Sequence, residues 1–145
     1  MTGFEGLFGA RKPLIGVVHV LPLPGSPEWS GSVGGAIARA VEDAVAYERA
    51  GFDAVIVENF GDAPFARGFA GRGAVAGLAA VGARVAERVR LPLGVNVLRN
   101  DAESAVAVAA AVGTAFIRVN VLVGAAATDK GVIQEIGRAS CRERV

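Results

Sequence analysis

Four short apolar runs in this sequence each finish in polar residues able to do chemistry. His19 follows LIGVV, Glu58 and Asn59 follow DAVIV, Asn96 to Asp101 lie within GVNVLRND, and Arg118 with Asn120 lie within FIRVNVL. An imidazole such as His19 exchanges a proton near neutral pH or binds a metal, or else is a rim residue held by a hydrogen bond. Glu58 is the strongest candidate for a catalytic or ligand-orienting acid. A carboxylate at the end of an apolar strand must be paired, hydrated or functional, since burying its charge alone is costly. The competing reading is an ion pair to Arg99 or Arg118. His19 and Glu58 are therefore the candidate catalytic pair, and Asn96, Arg99, Arg118 and Asn120 the candidate ligand-binding set. An arginine recognises carboxylate or phosphate through two parallel hydrogen bonds. The alternative for Asn96, Arg118 and Asn120 is a self-satisfying polar layer. Asn59 and Asp62 suit the turn before Pro64, and Asn100 and Asp101 suit a helix start. His19 is the single histidine, which excludes a multi-histidine metal site; an ion would need Glu58, Asp62 or groups from elsewhere. These residues imply no particular cofactor.

The elements that must position these groups follow from changes in hydrophobic period. Leu14 to Val20 reads as a strand, and LPLPGSPEWSGS after it as a loop that turn formation explains and that could cover a site. Ile37, Val41, Ala44 and Val45 recur at helical spacing from about Val33, and Gly51 marks the stop. Asp53 to Val57 is a second strand, and Val75, Leu78, Val85 and Val89 mark a second helix. A third strand spans about Pro92 to Leu98. Asn100 is placed to cap the next helix, with Glu103 reaching back to it, and that helix ends at Gly113. Ala115 to Val121 is the fourth strand, followed by the loop VGAAATDKG.

Strands alternating with helices build a parallel sheet with right-handed crossovers. An open doubly wound sheet would carry a glycine-rich phosphate turn after its first strand, whereas here that turn is proline-rich and has no GxGxxG. Polar residues at all four strand ends favour a β/α barrel, where reactive groups gather at the carboxyl ends of the strands. An eightfold barrel needs roughly 250 residues, so four units are about half of one.

Residues 135–145, EIGRASCRERV, are the translation of a widely used short-read sequencing adapter read after one leading G, and are set aside as an artefactual tail. Residues 1–134 remain as the fold. Removing the tail takes three arginines and two glutamates from the 15 basic and 14 acidic residues, leaving 12 of each. A neutral chain without basic clusters offers no footprint for nucleic acid. The sole cysteine, Cys141, also falls in the tail, so disulfide and thiolate chemistry are excluded from the rest. No apolar stretch reads as a transmembrane segment, and the first residues lack the order of a signal peptide, so a soluble cytoplasmic protein is the expectation.

The segments KPLIGVVHVLPLPGSP, GFDAVIVENFGDAPF, LPLGVNVLRND and AFIRVNVLVGAAATDKG closely resemble the BtpA/SgcQ family, in order, from Lys12 to Gln134. The sequence departs from relatives at Val18 and Val20, where they tend to carry bulkier residues. The resemblance implies a barrel of the ribulose-phosphate-binding type, of which this chain holds the N-terminal half. It also implies one of two roles. The first is binding or conversion of a small phosphorylated or sugar-derived metabolite at the strand rim. The second is a non-enzymatic assembly or stability function for photosystem I reaction-centre proteins, with peripheral membrane association in photosynthetic relatives. A homo-oligomeric full-length protein is compatible with either. Half a barrel is expected to be inactive alone and prone to aggregate or dimerise through its unpaired edges.

Overall fold

A computed structural model of the protein describes residues 3–9, 12–66, 68–128 and 131–134. Residues 135–145, read from the sequence as an adapter-derived tail, lie outside the described residues. The elements run α1 (Phe4–Phe8), β1 (Ile15–His19), α2 (Val33–Arg49), β2 (Ala54–Glu58), a 3₁₀ turn (Phe60–Asp62), α3 (Arg72–Ala86), β3 (Leu93–Asn96), α4 (Ala102–Val112), β4 (Phe116–Ile117), β5 (Ala125–Thr128) and β6 (Gly131–Gln134).

The four strands β1 to β4 form one parallel sheet in the order β1-β2-β3-β4. Strand order never reverses, so the sheet has no topological switch point of the doubly wound kind. It has the order of half a β/α barrel, as the sequence implied. Among the described residues, no helix is long and apolar enough to cross a membrane.

Alternation along the strands separates two faces. A Cβ at Gly16 would meet the ring of Tyr47 on α2 at 2.6 Å, which identifies the face carrying Gly16 and Val18 as the one toward the helices. Val18, Val55, Val57, Leu93 and Val95 join Leu78, Val81 and Val85 of α3 and Ala105 and Val108 of α4 in a single core. Each fully buried Val or Leu side chain contributes about 1.5–3 kcal/mol relative to exposure. On α2 the fully buried stripe is Ala36, Ala40 and Ala44, with Ile37, Val41 and Val45 partly buried at its flanks. The small side chains lie toward the sheet, and the larger ones fill the edges of the contact.

The opposite, inner face carries Val17, Ile56, Gly94 and Phe116 in one layer. Phe116 lies across Gly94, and Phe8 of α1 meets Phe116 edge-on at 6.0 Å. This short helix, unmarked by any hydrophobic period in the sequence, thus packs on the inner face.

Two expectations are corrected at the C-terminal side. The fourth strand is only Phe116–Ile117, because β3 ends at Asn96 and leaves little ladder to pair with. The expected loop VGAAATDKG contributes to an antiparallel pair, β5 with β6, with Gly124 (φ 85°) and Gly131 (φ 108°) in the left-handed region.

A Cβ at Gly94 would run into the Phe116 ring. Gly94→Ala is expected to destabilise the fold by about 1–3 kcal/mol through overpacking. The midpoint of urea unfolding checks this, and an unchanged midpoint would show that Phe116 does not hold that position.

Candidate functional site

Parallel pairing lines up the strand ends in one row. His19 pairs with Glu58, and Glu58 with Asn96. Val95 pairs with Ile117, and the Arg118 amide donates to the Val95 carbonyl at 2.9 Å, so Arg118 continues the row beside Asn96. All four residues share the inner face, since Phe116, two residues before Arg118, covers Gly94 there.

Glu58 is the centre of this row and is only 3% exposed. The Asn96 Nδ2 group donates to Glu58 Oε2 at 2.6 Å. Arg118 Nη1 lies 3.4 Å from the same oxygen, while His19 Nε2 lies 3.9 Å from Oε1, an ion-pair separation too long for a direct hydrogen bond. The imidazole stacks on Phe60, with centroids 4.3 Å apart and planes at 15°. Asn96 Nδ2 also approaches Asn120 Oδ1 at 3.4 Å. His19, Glu58, Asn96, Arg118 and Asn120 are therefore brought together. Arg118 takes the ion-pair role that the sequence left open between it and Arg99. The Arg99 guanidinium lies 5.5 Å from the Phe65 ring centroid, and Arg99 lines a neighbouring cavity with Asn100 and residues of β6.

Burial of a carboxylate is tolerable here because an amide and a guanidinium meet one of its oxygens. Asn96 is fully buried, yet its Oδ1 has no hydrogen-bond partner. Glu58 Oε1 and Asn120 Oδ1 are the acceptors that the row presents, while His19 and Arg118 keep their side chains about half exposed. Such an arrangement can accept hydrogen bonds from ligand hydroxyls at its base and move a proton between Glu58 and a bound group. Among the described residues, no group of His, Cys, Asp or Glu is arranged to hold a metal ion.

The loops around the row are stitched by side chains. Asp62 Oδ1 accepts from the Leu23 amide at 2.7 Å, and Asn59 Oδ1 from the Leu98 amide at 2.7 Å. Asn59 Nδ2 also donates to Asp62 Oδ2 at 3.1 Å. The turn role expected of Asn59 and Asp62 is thus extended to bonds between loops. Leu23 itself is fully buried, so the proline-rich loop after β1 is anchored at its middle. Asp101, rather than Asn100, caps α4, accepting from the Ser104 amide at 3.0 Å. Asn100 has φ 65°, outside the extended region an N-cap adopts. Sequence reading missed Phe60 as a partner of His19 and Asn100 as a loop tether; the only signal was two cap-type residues in succession where one helix start needs one.

The BtpA family model matches residues 10–144. An uncharacterized protein of Thermococcus kodakarensis is 53% identical over 137 residues, covering 93% of this chain and 52% of the relative. Photosystem I biogenesis protein BtpA of Synechocystis is 48% identical, with 88% of this chain and 44% of the relative covered. The putative sgc region protein SgcQ of Escherichia coli is 31% identical, with 91% and 49% covered. The chain spans about half the length of the curated relatives it matches. No solved structure matches at a significant level.

Asp62→Ala would leave the buried Leu23 amide without its acceptor, at an expected cost of about 1–3 kcal/mol. Asp43→Ala, which removes only the exposed helical pair with Arg39, should cost about 0.2–0.5 kcal/mol. Denaturant unfolding of the two variants measures the contrast, and equal losses would refute the role given to Asp62.

Proposed function

The chain belongs to the BtpA family, and from that premise we propose that it supplies half of the rim of a ribulose-phosphate-binding (β/α)8 barrel that binds or converts a small phosphorylated or sugar-derived metabolite in the cytoplasm. In this reading residues 1–134 form the half barrel and residues 135–145 are adapter-derived. The observation that carries it is the single row of His19, Glu58 and Asn96, which end three successive strands, and Arg118, which directly follows the fourth. In barrels of this kind, chemistry is done at the carboxyl ends of the strands.

Each residue has a role. Glu58 orients a ligand hydroxyl or exchanges its proton, and His19, 3.9 Å away, is the second proton-transfer group. Asn120 accepts from a ligand hydroxyl, and the fully buried Asn96 serves the ligand indirectly, holding Glu58 and Asn120 from beneath. Arg118 holds Glu58 and presents its remaining donors to a ligand oxygen, and Arg99 extends the binding surface. With Arg118 engaged by Glu58, the acceptors that the row presents favour the hydroxyl-bearing part of the ligand. The phosphate then falls to the loops after strands seven and eight, where such barrels frequently bind it.

A second reading, an assembly or stability factor for photosystem I reaction-centre proteins, is favoured by the 48% identity to the Synechocystis protein of that name. The test is calorimetric titration of the complete gene product containing this sequence with ribulose 5-phosphate and ribose 5-phosphate. Binding that weakens about tenfold or more in Glu58→Gln, a loss of about 1.4 kcal/mol, and stays unchanged in Arg39→Ala supports the metabolite reading. No binding of either sugar phosphate, or equal affinity in the wild type and Glu58→Gln, overturns it.

A further inference from the structure

Beyond the row itself, one side chain accounts for how half of the site is held. β4 is two residues long, and its pairing with β3 reaches no further than the bond from the Arg118 amide to Val95. The chain beyond it carries Asn120, whose side chain meets Asn96. Among the described residues, no neighbouring strand receives its backbone, because β3 has turned away, with the Asp101 amide donating back to the Val97 carbonyl at 3.1 Å.

The Asn100 side chain occupies that place. Its Oδ1 accepts from the Asn120 amide at 2.9 Å and from the Val121 amide at 2.8 Å. Its Nδ2 donates to the Val121 carbonyl at 3.1 Å and to the Gln134 carbonyl on β6 at 3.0 Å. An amide oxygen accepts two hydrogen bonds and its NH2 group donates two, so all four capacities of this side chain are used. The left-handed backbone of Asn100, φ 65°, is one that asparagine adopts more readily than most residues. The side-chain amide thus acts as the missing rung of the ladder, and the loop after β4 hangs on it.

We propose that Asn100 is a positioning residue of the rim: it fixes the segment after β4 so that Arg118 reaches Glu58 and Asn120 reaches Asn96. Its effect on ligands rests on the reading of the rim as a metabolite site, while its effect on the segment does not. Two substitutions separate its functions. Asn100→Gly tolerates the positive φ and removes all four bonds. Asn100→Asp keeps the acceptor for the Asn120 and Val121 amides and loses the donor to the two carbonyls.

The experiment measures amide hydrogen exchange and the Arg118 guanidinium resonances of the complete gene product, alongside titration with ribulose 5-phosphate. In Asn100→Gly, exchange at Asn120 and Val121 should accelerate about tenfold or more, and the Arg118 resonances should lose the signature of the pair with Glu58. Amides of Val18, Val57 and Val95 should stay protected, which separates loss of positioning from loss of the fold. Asn100→Asp should retain protection at Asn120 and Val121. Affinity for the sugar phosphate should fall about tenfold in the glycine variant and less in the aspartate variant. Unchanged exchange at Asn120 and Val121 in Asn100→Gly, or an unchanged Arg118 signature, overturns the positioning role. A wild type that binds no sugar phosphate counts against the metabolite reading alone, because the exchange and Arg118 measurements still decide the role of Asn100.

Discussion

The carboxylate of Glu58, 3% exposed at the end of β2, is the constraint on which the rest of the rim depends. Bringing an unpaired carboxylate out of water costs several kcal/mol, and the fold bears that cost only if partners arrive with good geometry. The partners come from different strands: the Asn96 amide on β3 and the Arg118 guanidinium just after β4. Both are within reach only in the observed register. A slip of one residue between β2 and β3 would set Glu58 beside a valine and turn Asn96 toward the helix layer. Sheet register and rim chemistry are therefore specified together, the apolar face by burial and the polar row by the charge it must neutralise.

A row of side chains at strand ends is useful only if the loops that follow hold still. Here the loops are joined in sequence by polar side chains bonding to backbone amides: Asp62 to the loop after β1, Asn59 to the segment after β3, and Asn100 to the segment after β4. Asp101 adds a bond to the Ala70 amide ahead of α3 at 2.7 Å. Close approach is part of the same arrangement. A Cβ at Gly61 would lie 2.6 Å from backbone atoms of Val20 and Pro22, so the loops after β1 and β2 touch main chain to main chain.

The parts of this structure legible in the sequence are those governed by local period. LIGVV, DAVIV and LGVN announce buried parallel strands, and the polar residues that end them announce the rim, because an apolar run that breaks at one point marks where the sheet gives way to groups that need polar partners. Illegible were features set by tertiary partners. The apolar spacing of Ile37, Val41, Ala44 and Val45 gave the right helix, but of these only Ala44 joins Ala36 and Ala40 in the fully buried stripe, since close packing on a valine-rich sheet favours the alanines. β4 looked seven residues long because FIRVNVL has strand composition, yet a strand lasts only as far as its neighbour. The pairing of Glu58 with Arg118 rather than Arg99 required knowing which strand end stands next to β2 and β3.

The adjacent residues Asn100 and Asp101 show how finely that tertiary information is encoded. They are similar in shape and both suit helix starts, but their surroundings are opposite. Asp101 faces two backbone N–H groups, those of Ser104 and Ala70, and sits at the N-terminus of α4, where the helix dipole favours negative charge. A carboxylate, which only accepts, fits that place. Asn100 faces two N–H groups and two carbonyls, and only a group that both accepts and donates can meet all four. Exchanging the two residues would turn a carboxylate toward the Val121 and Gln134 carbonyls and leave an uncharged amide at the head of α4. The order Asn then Asp thus divides one short loop between two tasks: the first residue holds the segment after β4 against the row, and the second begins the helix that backs it.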